Sequence, residues 1–346
     1  MDFSLSTDHE ILRDSVRSFA DKEIKPVAGE LDEKEEFSYE TMQKMAELGL
    51  FGIFVAEKYG GQEMDYVSYI IAVEEIARVD GSHAATVAAE NSLGIGPLYY
   101  FGNEEQKKKY LPKLCSGEAL WGFGLTEPNA GSDAGNTQTT AVLDGNEWVI
   151  NGSKIFITNA STDITAGSTV LARTGVRDDG KPELKDNLLG PRGQGFHQMM
   201  KTLDGGRLSI AAMGLGGAQG CLDMALKYSQ EREQFNRPIA TFQVNAFKLA
   251  DMATEIECAR LLLYKACWLN DNGLPYAKEA AMAKLYCSEV MYRAANHAVQ
   301  LHGGYGLMKE YDVERFYRDQ KLLEIGEGTS EVQRLVIARY LGAKCM

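Results

Sequence analysis

Near the end of the chain one acid, Glu327, stands between Gly326 and Gly328, followed at once by a Thr-Ser pair and an apolar-periodic segment. Flanking glycines relax the backbone, so this arrangement suits a carboxylate that meets a substrate at close range and takes a proton from it. It equally suits a loop before a helix with its acid in solvent, because acids gather at helix starts. The residues alone leave both readings open. A second cluster, GFGLTEPNAGSDAGNTQ (122–138), sets Thr126, Glu127, Gly131, Ser132 and Asp133 around Pro128. Pro128 fixes φ and Gly131 permits close approach. N–H groups and hydroxyls at this density can cradle a phosphate or the edge of a ring. An ordinary connecting loop is the alternative.

Other patterns point away from chemistry. Gly214-x-Gly216 has the outline of a dinucleotide fingerprint, but helix-like sequence surrounds it where a strand and a βαβ unit are needed. Close helix packing through small residues is its expected role. His297 and His302 are five apart, not the i, i+4 of a metal pair on one helix face, so no metal site is expected. QLHGGYG (300–306) reads as a glycine turn closing a helix. The chain has no GxSxG and no P-loop, hence no sign of an acyl-transfer nucleophile or an ATP site.

These groups need elements to hold them. Thr7-x-x-Glu10 has the form of a capping box opening a helix with Ile11, Val16, Phe19, Ile24 and Val27 on its apolar side. Further helices are expected at about 39–49, 65–78, 83–100 and 104–115. After Trp121, TQTTAVLDGNEWVINGSKIFITN holds short β-rich runs split by Asp144-Gly145 and Asn151-Gly152, both hairpin signals, and STVLART adds a strand. Helices return at about 195–230, from Ile239 to Asn270, at about 275–301 and after Ser330. The expected fold is mainly α with a small β domain: an N-terminal helical domain (1–120), a shortened middle β-sheet domain (121–188) and a C-terminal four-helix bundle (189–346).

With 346 residues the chain exceeds what one core usually fills. A net charge of −13 leaves no basic footprint for nucleic acid. Six cysteines lie scattered without CxxC or zinc spacing, which suits reduced, buried thiols in a cytoplasmic protein. The start, MDFSLSTDHEILRDSV, is too polar for a signal peptide, and no apolar run reaches transmembrane length, so no membrane partner is expected.

Taken in order, LTEPNAGSD, NGSKIFITN, TLDGGR, REQFNRPI, the FQ at 242–243, QLHGGYG and EGTSEVQR resemble the acyl-CoA dehydrogenases over nearly the whole chain, and most of all their short-chain, butyryl-CoA type branch. The resemblance implies FAD as cofactor, an acyl-CoA substrate, an electron-transferring flavoprotein as electron acceptor and a homotetramer. It implies that Glu327 is the catalytic base. Some relatives carry the base near the arginine motif, but this chain reads Asp204-Gly205-Gly206-Arg207 there and has no acid in that slot. Phe123, Leu125, Thr126, Gly131 and Ser132 match the flavin-contacting loop, and Phe156, Ile157 and Thr158 the run against the flavin ring. Arg232, Phe235 and Gln243 match contacts to the pyrophosphate and adenosine of a neighbouring subunit's FAD. Gln300, Leu301, His302, Gly303 and Gly304, with Thr329, Ser330 and Glu331, match further FAD contacts. Ser132, Asp204, Arg207 and Gly328 match the acyl-CoA site. Phe156 stands where many relatives carry Trp, and Gly326 where many carry Tyr, a change that reshapes the acyl pocket.

The implied reaction is α,β-dehydrogenation of a short-chain acyl-CoA to the trans-2-enoyl-CoA. The alternatives are an acyl-CoA or nitroalkane oxidase on the same scaffold, and a non-catalytic or impaired family member. The middle region is short, since a sandwich of about seven strands takes about 100 residues. Relatives carry several strands between KPE and NLLG. A seam is therefore expected at Glu183–Asp186, with irregular structure over about 165–190.

Overall fold

The computed structural model describes residues 4–145, 147–174 and 188–343; the expected seam at Glu183–Asp186 lies outside the described residues. In chain order, helices α1 (Thr7–Phe19), α2 (Lys25–Lys34), α3 (Tyr39–Glu47), α4 (Tyr66–Ala77), α5 (Gly81–Ala89), α6 (Gly96–Phe101) and α7 (Glu104–Cys115) precede strands β1 (Leu120–Gly124), β2 (Thr140–Asp144), β3 (Glu147–Asn151) and β4 (Thr165–Val170). Then come α8 (Gly195–Glu231), the short strands β5 (Glu233–Gln234) and β6 (Arg237–Pro238), α9 (Gln243–Asp271), α10 (Ala277–His302), α11 (Val313–Ile325) and α12 (Ser330–Tyr340). The chain gathers into two compact units. One joins Met1–Thr41, Asp65–Ala85 and Arg207–Met346; the other joins Met42–Met64 and Thr86–Gly206.

In the first unit, α1 is capped by Ser6, whose side chain accepts from His9 N at 3.2 Å, rather than by Thr7. Val16, Ala20, Ile24 and Ala28 form a fully buried stripe four residues apart, running through a π turn at Ala20–Ile24, while Ile11 is exposed. Helix α4 is buried on nearly every side. Two carboxylates meet its positive N-terminal end. Asp65 accepts from Ser68 N (2.8 Å), and Asp271, at the end of α9, accepts from Tyr66 N (2.8 Å) and Val67 N (3.2 Å).

Helix α10 packs against α9, α11 and α12. It also meets α8 closely, because a Cβ on Gly214 would stand 2.9 Å from Cys287 O. A Cβ on Gly216 would collide with Glu74 O, so Gly214-x-Gly216 serves helix packing as its context implied. Helix α11 is absent from the sequence reading. Its charges mask a buried row, Val313, Phe316, Gln320 and Leu323, at helical spacing.

In the second unit, β1 and β4 pair in parallel, Gly122 with Ser168 and Gly124 with Val170, with a register shift between Leu120 and Trp121. Strands β2 and β3 form the hairpin that Asp144-Gly145 predicts: Asp144 pairs with Glu147, and Gly145 has φ +59°. Asn151-Gly152 makes no second hairpin. Strand β3 ends there, and Gly152 lies so close to Thr139 that a Cβ would collide with it. The expectation of irregular structure from 165 fails at its start, since β4 is a regular strand. Neither sheet has a third strand among the described residues. Val142, Val149 and Ile150 are exposed accordingly, and a cavity of about 690 Å³ is lined in part by Trp121, Trp148, Leu171 and Phe196.

Candidate active site

Helix α11 closes with Gly326 N donating to Leu322 O (2.7 Å), and α12 opens on Thr329, whose hydroxyl accepts from Val332 N (3.3 Å). The chain reverses between them through Glu327 at φ +53° and Gly328 at φ +96°. A non-glycine residue held in the left-handed region stores roughly 1–3 kcal/mol of strain and persists only where its surroundings fix it. Here Gln333 Nε2 donates to Glu327 O (3.2 Å) and Gly328 O (2.8 Å), and Lys284 Nζ donates to Gly328 O (2.8 Å). A Cβ on Gly328 would stand 2.8 Å from Gln333 Nε2, so this glycine is required twice, by φ and by space. Gly326 has ordinary backbone, φ −61°, though a Cβ there would stand 3.3 Å from Leu322 O, a tight contact.

The Glu327 side chain is what this turn presents. Its Oε2 is buried and has no hydrogen-bond partner among the described residues. Burial pushes its carboxyl up to about 8, against the pull of the Arg207 guanidinium and the Lys284 ammonium. Both cations are buried, Lys284 completely. Burial likewise pushes the Lys284 ammonium down to about 8; Arg207 adds to this, while Glu327, Glu324 and Glu331 oppose it. A carboxylate with a free lone pair and an affinity for protons matched to neutral pH has the properties of a general base. Asp204 stands three residues before Arg207 on α8, on the same helix face.

The same unit carries an exposed patch. Arg232, just past the end of α8, lies over the Tyr305 ring at 5.7 Å. Phe235 (φ +53°) and Asn236 (φ +59°) turn the chain between β5 and β6, leaving Phe235 87% exposed and edge-on to Phe242 at 6.0 Å. Gln243 and Gln300 are exposed, and Gly303 (φ +61°) and Gly304 have open space where a Cβ would stand. Leu301 and His302 differ, because their side chains are buried. The His302 ring stacks on Tyr228 at 4.2 Å and its Nδ1 donates to Ala298 O (2.8 Å). Ser330 is buried at the start of α12, whereas Glu331 is exposed.

In the second unit, the 122–138 loop is organised by Glu127. It lies near the surface but is covered by its own loop, 4% exposed. Oε1 accepts from Lys154 Nζ (2.7 Å) and Thr139 N (3.0 Å), and Oε2 from Gln138 N (2.6 Å). Desolvation would raise its pKa; the Lys154 ammonium and the backbone donors outweigh that and hold it at about 2. Lys154 also donates to Leu125 O (3.0 Å), and Ile155 N to Thr126 O (3.0 Å), which ties the loop to the 151–159 run. Phe123 and Leu125 are buried with Leu171, Met199 and Leu203. Gly131 and Ser132 are exposed, with open space at Gly131.

Phe156, at φ +58°, is 88% exposed; Ile157 is half-buried and Thr158 exposed. Asn159, at φ +62°, ends the run and donates to Glu90 Oε2 (3.3 Å). The same oxygen accepts from Trp121 N (3.0 Å), the residue at the β1 register shift. Glu90 is 0% exposed, and burial pushes it up to about 8 against those two donors.

A bulky aromatic in left-handed backbone and almost wholly in water is disfavoured by conformation and by solvation alike. Phe156 and Phe235 both do this. In the second unit Phe156 goes with an open Gly131, and in the first Phe235 goes with the exposed Arg232 and the open Gly303 and Gly304, so each unit by itself presents an exposed aromatic ring and room for backbone approach. Sequence reading missed Lys154, Glu90, Asn159, Lys284 and Gln333. Lys284 had a signal, a lone cation within the alanine-rich run AAMAKLYCSE. Among the described residues no group of three His, Cys, Asp or Glu is placed to hold a metal ion, and no helix is long and apolar enough to cross a membrane.

Three family models match the chain: acyl-CoA dehydrogenase N-terminal domain over residues 6–118, middle domain over 122–197 and C-terminal domain over 193–342. The chain is 51% identical to the probable acyl-CoA dehydrogenase YngJ of Bacillus subtilis, covering 99% of this chain and 100% of that one. That match runs over 379 aligned positions, more than the 346 residues here, so the relative has residues that this chain lacks. Among solved structures, butyryl-CoA dehydrogenase from Megasphaera elsdenii superposes with a TM-score of 0.93 at 39% identity, covering 99% of this chain and 100% of that one. A chain in the structure of the electron transferring flavoprotein of Acidaminococcus fermentans reaches 0.94 at 42% identity, with 99% of both chains covered.

Proposed function

The chain belongs to the acyl-CoA dehydrogenase family and is an oxidoreductase that binds FAD, and from that premise we propose that it dehydrogenates a short-chain acyl-CoA to the trans-2-enoyl-CoA and passes the electrons to an electron-transferring flavoprotein. The single observation that supports this most is the Glu327 turn, a strained, fixed carboxylate with an unpartnered oxygen. Glu327 takes the proton from Cα, and the C–H electron pair becomes the enolate π system. The Glu327 N–H, which makes no hydrogen bond among the described residues, is available to the thioester oxygen where that negative charge gathers. Bound FAD would supply the acceptor for the hydride that leaves Cβ. Asp204, Arg207, Ser132 and Gly328 address the acyl-CoA.

Phe123, Leu125, Thr126, Gly131, Ser132 and the 156–158 run hold the flavin end. Arg232, Phe235 and Gln243 serve the phosphates and adenosine of a neighbouring subunit's FAD within a homotetramer. Gln300–Gly304 and Thr329–Glu331 add main-chain contacts. The working partition is 1–120, 121–188 and 189–346, and the working compartment is the cytoplasm.

The test is anaerobic mixing of the FAD-loaded protein with a panel of acyl-CoAs, following flavin absorbance. Butyryl-CoA and its near neighbours should bleach the flavin faster than long-chain thioesters. Bleaching by none would sink the proposal. Rapid return of the colour on admitting oxygen would make the protein an oxidase instead.

A further inference from the structure

Lysine is almost never fully buried unless paired. Lys284 is 0% exposed on α10, with Ala280, Ala281, Ala283 and Cys287 buried around it in sequence, and among the described residues its ammonium makes one hydrogen bond, to Gly328 O at 2.8 Å. That carbonyl already receives Gln333 Nε2 at 2.8 Å, so satisfying it does not call for a charge. The charged groups that face Lys284 are Glu327, Glu324, Glu331 and Arg207; those that face Glu327 are Arg207 and Lys284. Among the described residues, a buried ammonium with no second hydrogen bond thus sits on the carbonyl of the residue next to a half-buried glutamate whose buried Oε2 has no partner.

We propose that Lys284 is a positioning residue for Glu327: it pins the Gly328 carbonyl and with it the left-handed turn, and its charge favours the carboxylate form of the base against burial, which favours the protonated one. This rests on reading Glu327 as the base. The role needs both properties of lysine. The stem reaches the turn from the middle of α10, and the head brings charge where water is excluded, so the charge is felt strongly.

The experiment uses the FAD-loaded protein and follows flavin bleaching by butyryl-CoA against pH for Lys284→Met, Lys284→Gln and Lys284→Arg. Loss of a neighbouring opposite charge favours the protonated carboxyl. The acid limb should therefore move up by about one pH unit in the Met and Gln variants, with about tenfold slower bleaching at neutral pH, and hardly at all in the Arg variant. A structural role alone would lower the rate equally at every pH, and an unmoved limb in the Met or Gln variant overturns the proposal. If Lys284→Met does not fold, Lys284→Gln, which keeps a donor for Gly328 O, carries the same test. Thermal unfolding of Lys284→Met, Glu327→Gln and the double variant gives an independent readout. The lysine substitution should cost less stability when Glu327 is already neutral, and additive effects would count against the pairing. Because that cycle does not use activity, a fully active Glu327→Gln would remove the base assignment while leaving the pairing to be judged on its own.

Discussion

Glu327 in the first unit and Glu127 in the second are the same side chain, both substantially covered, with opposite acid strength. Glu127 receives the Lys154 ammonium and two backbone N–H groups and is held at about 2; Glu327 keeps an unpartnered oxygen and rises to about 8. Burial alone pushes both up, so the supply of donors decides the sign. A carboxylate saturated with donors is a permanent anion and makes a dependable staple. One left with distant cations and no donor can exchange a proton. Glu90 shows that a raised pKa is not enough: it too stands at about 8, but its side chain is 0% exposed and binds Trp121 N and Asn159, so no substrate reaches it.

The largest expected effect breaks the comparison at the proton. Glu327→Gln should keep the fold and the flavin yet lose about 10²–10⁴-fold in turnover, measured as the rate of flavin bleaching. Residual activity above about a hundredth of wild type would mean that another group takes the proton. Glu127→Gln should do the reverse. It removes a charge-assisted bond of about 1.5–3 kcal/mol, so FAD retention should weaken about ten- to a hundredfold while the acid limb of the reaction stays put. FAD titration by fluorescence checks it, and a moved limb would break the division of labour. Arg232→Ala should act in the same direction but less, about tenfold or under, because the side chain is solvent-exposed. Stoichiometric flavin surviving gel filtration would remove Arg232 from the cofactor site.

The two carboxylates were not equally legible. Glu327 could be found because two glycines isolate it, although only Gly328 is required by its backbone; Gly326 is conformationally ordinary. Glu127 stands in the 122–138 loop, but its partner Lys154 is 27 residues away, and nothing local announces a pair that forms across a loop. Lys284 and Gln333 reach the turn from two different helices, which periodicity cannot foresee. Helices were readable where apolar spacing was clean, as in α8 and α10, and lost where charge covered it, as in α11. Strand β4 was legible as a β-rich run, but its parallel partner β1 was not, since partners across a long connection leave no mark in either segment.

The smallest expected effect sharpens the comparison through stability against pH. The folded-state pKa of Glu327, about 8, lies above its ordinary 4.5. The folded protein therefore holds a proton that the unfolded chain has already released. Stability from this group is complete below 4.5 and is lost as pH rises through about 8. The folded-state pKa of Glu127, about 2, lies below 4.5, so its contribution is complete above 4.5 and is lost as pH falls towards 2. The wild-type melting temperature should fall on both flanks. Glu327→Gln should flatten the slope between about 4.5 and 8 and leave the acid flank alone, and Glu127→Gln should flatten the acid flank and leave the other. Glu90, also raised to about 8, shares the upper window, so Glu327→Gln reduces that slope without abolishing it, and the Glu90→Gln variant accounts for the remainder. Lys284, lowered to about 8 from 10.5, adds stability as pH climbs between those values, which places the minimum of the upper flank near 8. Melting curves of the variants on one pH series would decide it. An upper slope untouched by Glu327→Gln would show that the carboxyl is not protonated in the folded protein, and the contrast with Glu127 would then rest on geometry alone.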